Sequence, residues 1–400
     1  MLRSGTFALT ALLSALTAIG PLSTDMYLPS LPSIAHQLHG STAQAQLTIS
    51  SYLVGFAVGQ LIYGPISDRR GRKPVLLAAL GVYCVASFIS ALAISVDMLI
   101  AARMLQALGG CGGIVLARAI VRDLYSGARA GRELSLMSMV MALAPAIAPL
   151  IGGVLQTVFG WRANFIVLVL CGLVIAATAW RLLPETLKKA TDAGEPPRSM
   201  LRAFRGFLGD GAYLAHTGIV VFTYAGLFAW ISGASFVLQN LYGLSALAFG
   251  IAFAVGSCGV MIGSAIGSRL GGRLGLDRII GIGVIVQVAG GLLMLAGLAF
   301  GLHLALSLVL PMAVYLTGLG MVLPHGIAGA MQPYRDRAGA ASSLLGFLQQ
   351  GAAALCGVVV GQMLGDSAWP MAIVIFCTAA AAMVLWASTR KLRDSAVPGH

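Results

Sequence analysis

Runs of about 20 apolar residues recur twelve times along this chain of 400 residues. At about 1.5 Å of rise per residue, each is long enough to cross a hydrocarbon core of roughly 30 Å as a helix. The runs cover 7–29, 44–66, 74–94, 98–120, 134–158, 162–183, 213–238, 246–268, 278–299, 303–328, 339–363 and 368–389. Their connections are short except for 184–212, where Pro184, Pro196, Pro197, Lys188, Lys189, Arg198, Arg202 and Arg205 mark a polar linker. The pattern predicts an all-α integral membrane protein, with six helices over 1–183, a linker over 184–212 and six more over 213–400.

Composition supports this. Hydrophobic residues make up 58% of the chain and charged residues 10%, against roughly a quarter charged in soluble domains. Arg3 before the first run suggests a signal peptide. The length of the run, its lack of a small-residue cleavage site and Asp25 near its far end argue for a retained helix. Cys84, Cys111, Cys171, Cys258, Cys356 and Cys377 fall inside the runs without paired spacing, so neither disulfides nor a metal site is expected.

The net charge of +12 is explained by its distribution. When loops are assigned alternately to the two faces, all but two of the 25 Lys and Arg residues fall on one face; the exceptions are Arg103 and Arg162. The positive-inside rule makes that face cytoplasmic, together with both termini and the linker. The basic charge therefore requires no nucleic acid, and the apolar runs make the lipid bilayer the expected partner.

Of the 13 acidic residues, Asp25 alone is clearly embedded in a run. A carboxylate in hydrocarbon costs several kcal/mol unless it is paired, hydrated or protonated. Two readings follow: a functional group, or a hydrogen bond that packs helices. Arg103 favours the first, because helix rise places both residues at similar depth below the outer surface. Pro21, four residues before Asp25, removes a backbone donor and predicts a bend beside the carboxyl. A carboxyl whose protonation follows conformation and occupancy is the minimum chemistry for proton coupling.

Between the second and third runs lies Gly64-Pro65-Ile66-Ser67-Asp68-Arg69-Arg70-Gly71-Arg72-Lys73. This segment resembles the loop motif of the major facilitator superfamily. One carboxylate among cations at a helix end suits a latch, with Asp68 pairing with Arg72, with Arg118 or Arg122, or with a helix N-terminus; Arg69 belongs to the same group. An echo at Gly267-Ser268-Arg269-Leu270-Gly271-Gly272-Arg273 lacks the acid.

Arg103-Met104-Leu105-Gln106-Ala107-Leu108-Gly109-Gly110 resembles the fourth-span motif of drug:proton antiporters, with Ala107 replacing a glycine. Ala144-Pro145-Ala146-Ile147-Ala148-Pro149-Leu150-Ile151-Gly152-Gly153 resembles their fifth-span motif, in which Pro145 and Pro149 shape the helix and Gly152 and Gly153 allow close packing. The first run with Ala341-Ser342-Ser343-Leu344 and Ser367-Ala368-Trp369-Pro370-Met371 is similar to the bicyclomycin and chloramphenicol resistance subfamily. The resemblance implies two six-helix bundles about a central cavity and a monomeric, alternating-access exporter of small drugs in the bacterial inner membrane. It also implies Asp25 as the proton-responsive carboxyl, Arg103 as its electrostatic partner, and the proton as coupling ion with no cofactor.

Tyr27, Tyr52, Gln60, Tyr63, Gln106, Tyr224, Phe228, Trp230, Gln239, Gln349 and Gln350 are expected to give a cavity aromatic faces and amide groups. His325, after Pro324, is either a second titrating group or a packing histidine. No nucleotide-binding loop occurs, and the runs carry neither paired aspartates nor a histidine metal motif, so ATP-driven transport and intramembrane hydrolysis are not expected. An exporter of a sugar or an amino-acid-derived metabolite on the same fold is the alternative.

Overall fold

A computed structural model describes residues 7–187 and 197–394; Arg3, Lys188, Lys189 and Pro196, which counted in the charge pattern, lie outside the described residues. The chain divides into two compact units, 1–197 and 198–400. The first holds α1 (Phe7–Asp25), α2 (Leu31–Gln37), α3 (Thr42–Arg70), α4 (Arg72–Ala91), α5 (Val96–Leu124), α6 (Gly127–Phe159) and α7 (Arg162–Leu182). The second holds α8 (Pro197–Gly209), α9 (Gly211–Phe236), α10 (Ala246–Leu274), α11 (Leu276–Ala299), α12 (Leu306–Met331), α13 (Ala338–Met363), α14 (Trp369–Ser388) and α15 (Arg390–Asp394). Among the described residues, twelve helices are long and apolar enough to span a membrane, α1 and α2 counting together.

Most helices outrun the apolar runs that announce them, because outside the hydrocarbon a helix needs no apolar side chains. In α6 the extension brings Glu133 inside the helix, where it is buried. The first span differs from expectation. Helix α1 passes through Pro21 and stops at Asp25, and a turn at Met26 and Tyr27 leads into a 3-10 segment, Leu28–Ser30, and then α2. Pro29 and Pro32 stand in the first turns of these two elements, and Pro29, which has no N–H, cannot donate to the carbonyl of Asp25 and so continue α1. The chain therefore breaks immediately after the acid.

Within the linker, 197–209 is helical. Phe207 anchors it in a cluster with Tyr213, Val220, Ala330, Ala341, Leu344 and Leu345, while Arg202 and Arg205 are exposed. The remaining large exposed apolar side chains, such as Val85, Val174, Ile262 and Val384, form the lipid-facing surface expected of a bundle in hydrocarbon.

Candidate functional site

The interior of the first unit is organised by close backbone contact. At Gly152 of α6 a Cβ would stand 1.7 Å from the carbonyl oxygen of Met26, so only glycine lets α6 lie against the break after Asp25. Asp25 is 4% exposed, at the C-terminal end of α1. Two residues earlier, the hydroxyl of Ser23 is 2.8 Å from that of Tyr83 on α4 and donates to the carbonyl of Ile19 at 2.7 Å.

Arg103 of α5 is fully buried. Its guanidinium carbon lies 4.3 Å from the ring centroids of both Tyr27 and Tyr52, with Phe165 at 5.8 Å. Such placement over aromatic faces is favourable, and more so when water is excluded. One terminal nitrogen donates to Gln106 Oε1 at 2.5 Å, Gln106 Nε2 donates to Ser87 Oγ at 2.8 Å, and Ser87 Oγ donates to the carbonyl of Tyr83 at 2.7 Å. The Nε and the other terminal nitrogen make no hydrogen bond of good geometry among the described residues. The field of Arg103 reaches Asp25, yet no ion pair joins them among the described residues. A cation with unused donors and an acid without a cation thus occupy one bundle interior.

The expected cavity residues separate into two groups. Gln60, Tyr63, Tyr224 and Gln349 are half-buried. Tyr27, Gln106, Phe228 and Trp230 are buried in packing, at 0%, 0%, 4% and 1% exposure. Gln106 is corrected from lining to positioning, because both ends of its amide are used by Arg103 and Ser87. Tyr27 shares its hydroxyl with Thr48 at 3.0 Å and its ring with Arg103. Tyr52 is likewise a buried wall of the arginine slot. His325 reads as packing: its Nδ1 is 2.8 Å from the Met321 carbonyl, and its ring fills the space left by Gly267 and Gly271.

The loop motif folds into a charged knot. Arg72 pairs with Asp68 at 2.5 Å and with Asp123 at 2.9 Å, and donates to Ser67 Oγ at 2.7 Å. Glu185, just past α7, accepts from the backbone N–H of Arg72 at 2.9 Å and of Lys73 at 3.1 Å, capping α4. Thr186 closes the ring by donating to Asp123 at 3.2 Å. Burial works against the Glu185 charge, but the N–H groups of Leu187, Arg72, Lys73 and Thr186 outweigh it and hold the carboxyl below its ordinary value. Gly71, at φ +97°, makes the turn, and a Cβ there would meet Glu185 Oε2 at 2.6 Å.

Of the alternatives for Asp68 the structure holds Arg72; Arg118 and Arg122 are exposed, and neither pairs with Asp68 among the described residues. Arg69 is also exposed. Sequence reasoning missed Asp123, Glu185 and Ser87. The two acids carry a usable signal: on a face dominated by cations, each rare carboxylate is a natural ion-pair or cap partner.

Residues 13–357 match the family model described as Major Facilitator Superfamily. The chain is 32% identical to multidrug resistance protein D of Escherichia coli, covering 87% of each chain. It is 31% identical to the bicyclomycin resistance protein homolog of Haemophilus influenzae, covering 92% of each. A crystal structure of a D-xylose–proton symporter superposes with a TM-score of 0.76 over 95% of this chain and 97% of that one, at 14% identity, a likeness of fold alone.

Proposed function

The chain belongs to the Major Facilitator Superfamily and is a transporter, not an enzyme; on that premise we propose that it exports small amphipathic drugs in exchange for protons. In this reading it works by alternating access in the bacterial inner membrane, as a monomer with both termini in the cytoplasm. The names of its relatives support the substrate class, and the one-sided cation distribution supports the orientation.

The observation that supports proton coupling is the unfinished pair: among the described residues, buried Asp25 has no ion-pair partner and buried Arg103 has two nitrogens without a hydrogen bond. A carboxyl in this setting is neutral while it holds a proton, and on losing it gains a reason to move toward Arg103. Because α1 ends at Asp25, the turn at Met26 and Tyr27 is where such movement costs least helix. A cationic or hydrogen-bonding substrate competes for the same groups, so proton and drug exclude one another.

Asp25→Asn tests this. The variant is expected to insert normally and to lose proton-driven drug uptake into everted vesicles, because an amide exchanges no proton. Uptake with the wild-type dependence on the proton gradient would overturn the assignment.

A further inference from the structure

The linker helix α8 carries charge that the coupling reading leaves unused. Phe204, Phe207 and Leu208 share one flank of the helix, while Arg202 and Arg205 share the other. The apolar flank is tied down: Phe207 is 2% exposed, and its ring centroid lies 5.5 Å from that of Tyr213 and 4.6 Å from that of Tyr334. Tyr213 is in the first turn of α9, and Tyr334 ends the span that contains α12. The Tyr213 hydroxyl donates to the carbonyl of Ala341, near the start of α13, at 2.7 Å. Leu392 of α15, just past α14, lies against Gly211, where a Cβ would meet its Cδ1 at 3.4 Å. The corner of α8, α9 and α15 thus sits at the shared end of four spans, where hydrocarbon gives way to headgroups.

This corner exposes charge of one sign. Arg202, Arg205, Arg337 and Lys391 are exposed, and none makes an ion pair among the described residues. The nearby acids are used within the fold. Asp210 accepts from the N–H groups of Ala212 and Tyr213 and from the Tyr334 hydroxyl, and Asp277 holds Arg393. Leu208 and Leu392, at 49% and 48% exposure, stand beside the cations. Basic and apolar side chains together are what hold an amphipathic helix in a membrane interface. By helix rise, Arg205 and Arg202 lie at most about 9 and 14 Å from the first residue of α9, a distance comparable with the Debye length of about 8 Å at physiological ionic strength.

We propose that this corner binds the headgroups of anionic phospholipids, with Arg202 and Arg205 on their phosphates and Leu208 and Leu392 in the boundary beneath. Charge complementarity selects the partner, because a bilayer surface lies at the end of any bundle of spans and its anionic lipids attract basic segments there. The binding holds the linker helix on the membrane. It is independent of the exported compound and of proton coupling, so failure of either leaves it standing.

The test measures the affinity of the full-length protein for phosphatidylglycerol by native mass spectrometry, with phosphatidylcholine as the neutral control. One surface cation is worth about fivefold, so R202Q/R205Q is expected to weaken phosphatidylglycerol binding at least about fivefold and to leave phosphatidylcholine binding unchanged. R269Q/R273Q removes two exposed cations from the end of α10 and is expected to change it by less than about twofold. Equal losses in the two double variants would overturn the site in favour of diffuse net charge. A wild-type protein with no preference for phosphatidylglycerol would overturn it outright. Inorganic phosphate that displaces the lipid at equal concentration would overturn the lipid assignment in favour of a free-anion site.

Discussion

The α3–α4 and α10–α11 turns hold matching places in their respective units, yet they are locked with opposite charge. Each is made at a glycine with positive φ, +97° at Gly71 and +80° at Gly275, and in each the chain just beyond the unit's last span supplies the tie. After α7 the tie is an acid, Glu185, on backbone N–H groups at the start of α4. After α14 it is a base, Arg393, paired with Asp277 in the first turn of α11 at 2.7 Å. Both place negative charge at a helix N-terminus, where the dipole favours it; they differ in which segment brings the carboxylate. The acid that the glycine echo lacks is thus supplied a few residues later, by Asp277.

The first knot binds four segments through Asp68, Arg72, Asp123 and Glu185, whereas the second joins α11 to α15 and to Thr389. Removing its centre should therefore have the larger effect. Arg72→Met leaves Asp68 and Asp123 without their cation. It is expected to cost roughly 1–3 kcal/mol, seen as a lowered melting temperature in detergent together with impaired export at retained drug binding. Gly71→Ala is next, with about 1–2 kcal/mol of positive-φ backbone strain and a clash that displaces Glu185; a melting temperature equal to that of wild type would remove Gly71 from the account.

Charge reversal separates the two knots. Arg393→Met should cost about 1 kcal/mol, since Asp277 is partly hydrated, and the double exchange R393D/D277R should recover part of the loss. No exchange can rescue E185K, because the partners of Glu185 are backbone N–H groups and cannot be reversed. Equal rescue in both units would refute the distinction.

The smallest effect is expected from Glu185→Gln, and it depends on pH. Because folding lowers the Glu185 pKa from its ordinary 4.5, its stabilisation is complete above that value and is lost as the pH falls through the depressed one. The gap in melting temperature between wild type and E185Q should hold from neutral pH down to about 4.5 and close below it. A gap that closes nearer neutrality would contradict the cap.

Much of the architecture is legible in the sequence because a bilayer imposes a single length and a single polarity on each span. Asp25 and Arg103 stand out for the same reason: charge in an apolar run has no routine explanation. The break after Asp25 was less legible: Pro21 predicts a bend before the acid, whereas α1 continues through it and ends only where Pro29 cannot donate to the Asp25 carbonyl. Glu133 escaped notice because it sits where an apolar run begins, and only the continuation of α6 shows that the carboxyl is inside.

By itself, the sequence determined the twelve spans, the face that carries the cations, the embedded acid and arginine, and the motif that ends in Gly71. Those features follow from solvent and covalent chemistry acting on neighbouring residues. Tertiary structure decided the partners: Asp123 and Glu185 for Arg72, Gln106 for Arg103 with Ser87 behind it, and Thr10 for Glu133. Each of these except Gln106 lies well away along the chain from the group it serves, at a depth and angle set by which helices pack together. Close contacts such as Gly152 against Met26 fix that packing, and no spacing along one helix encodes it.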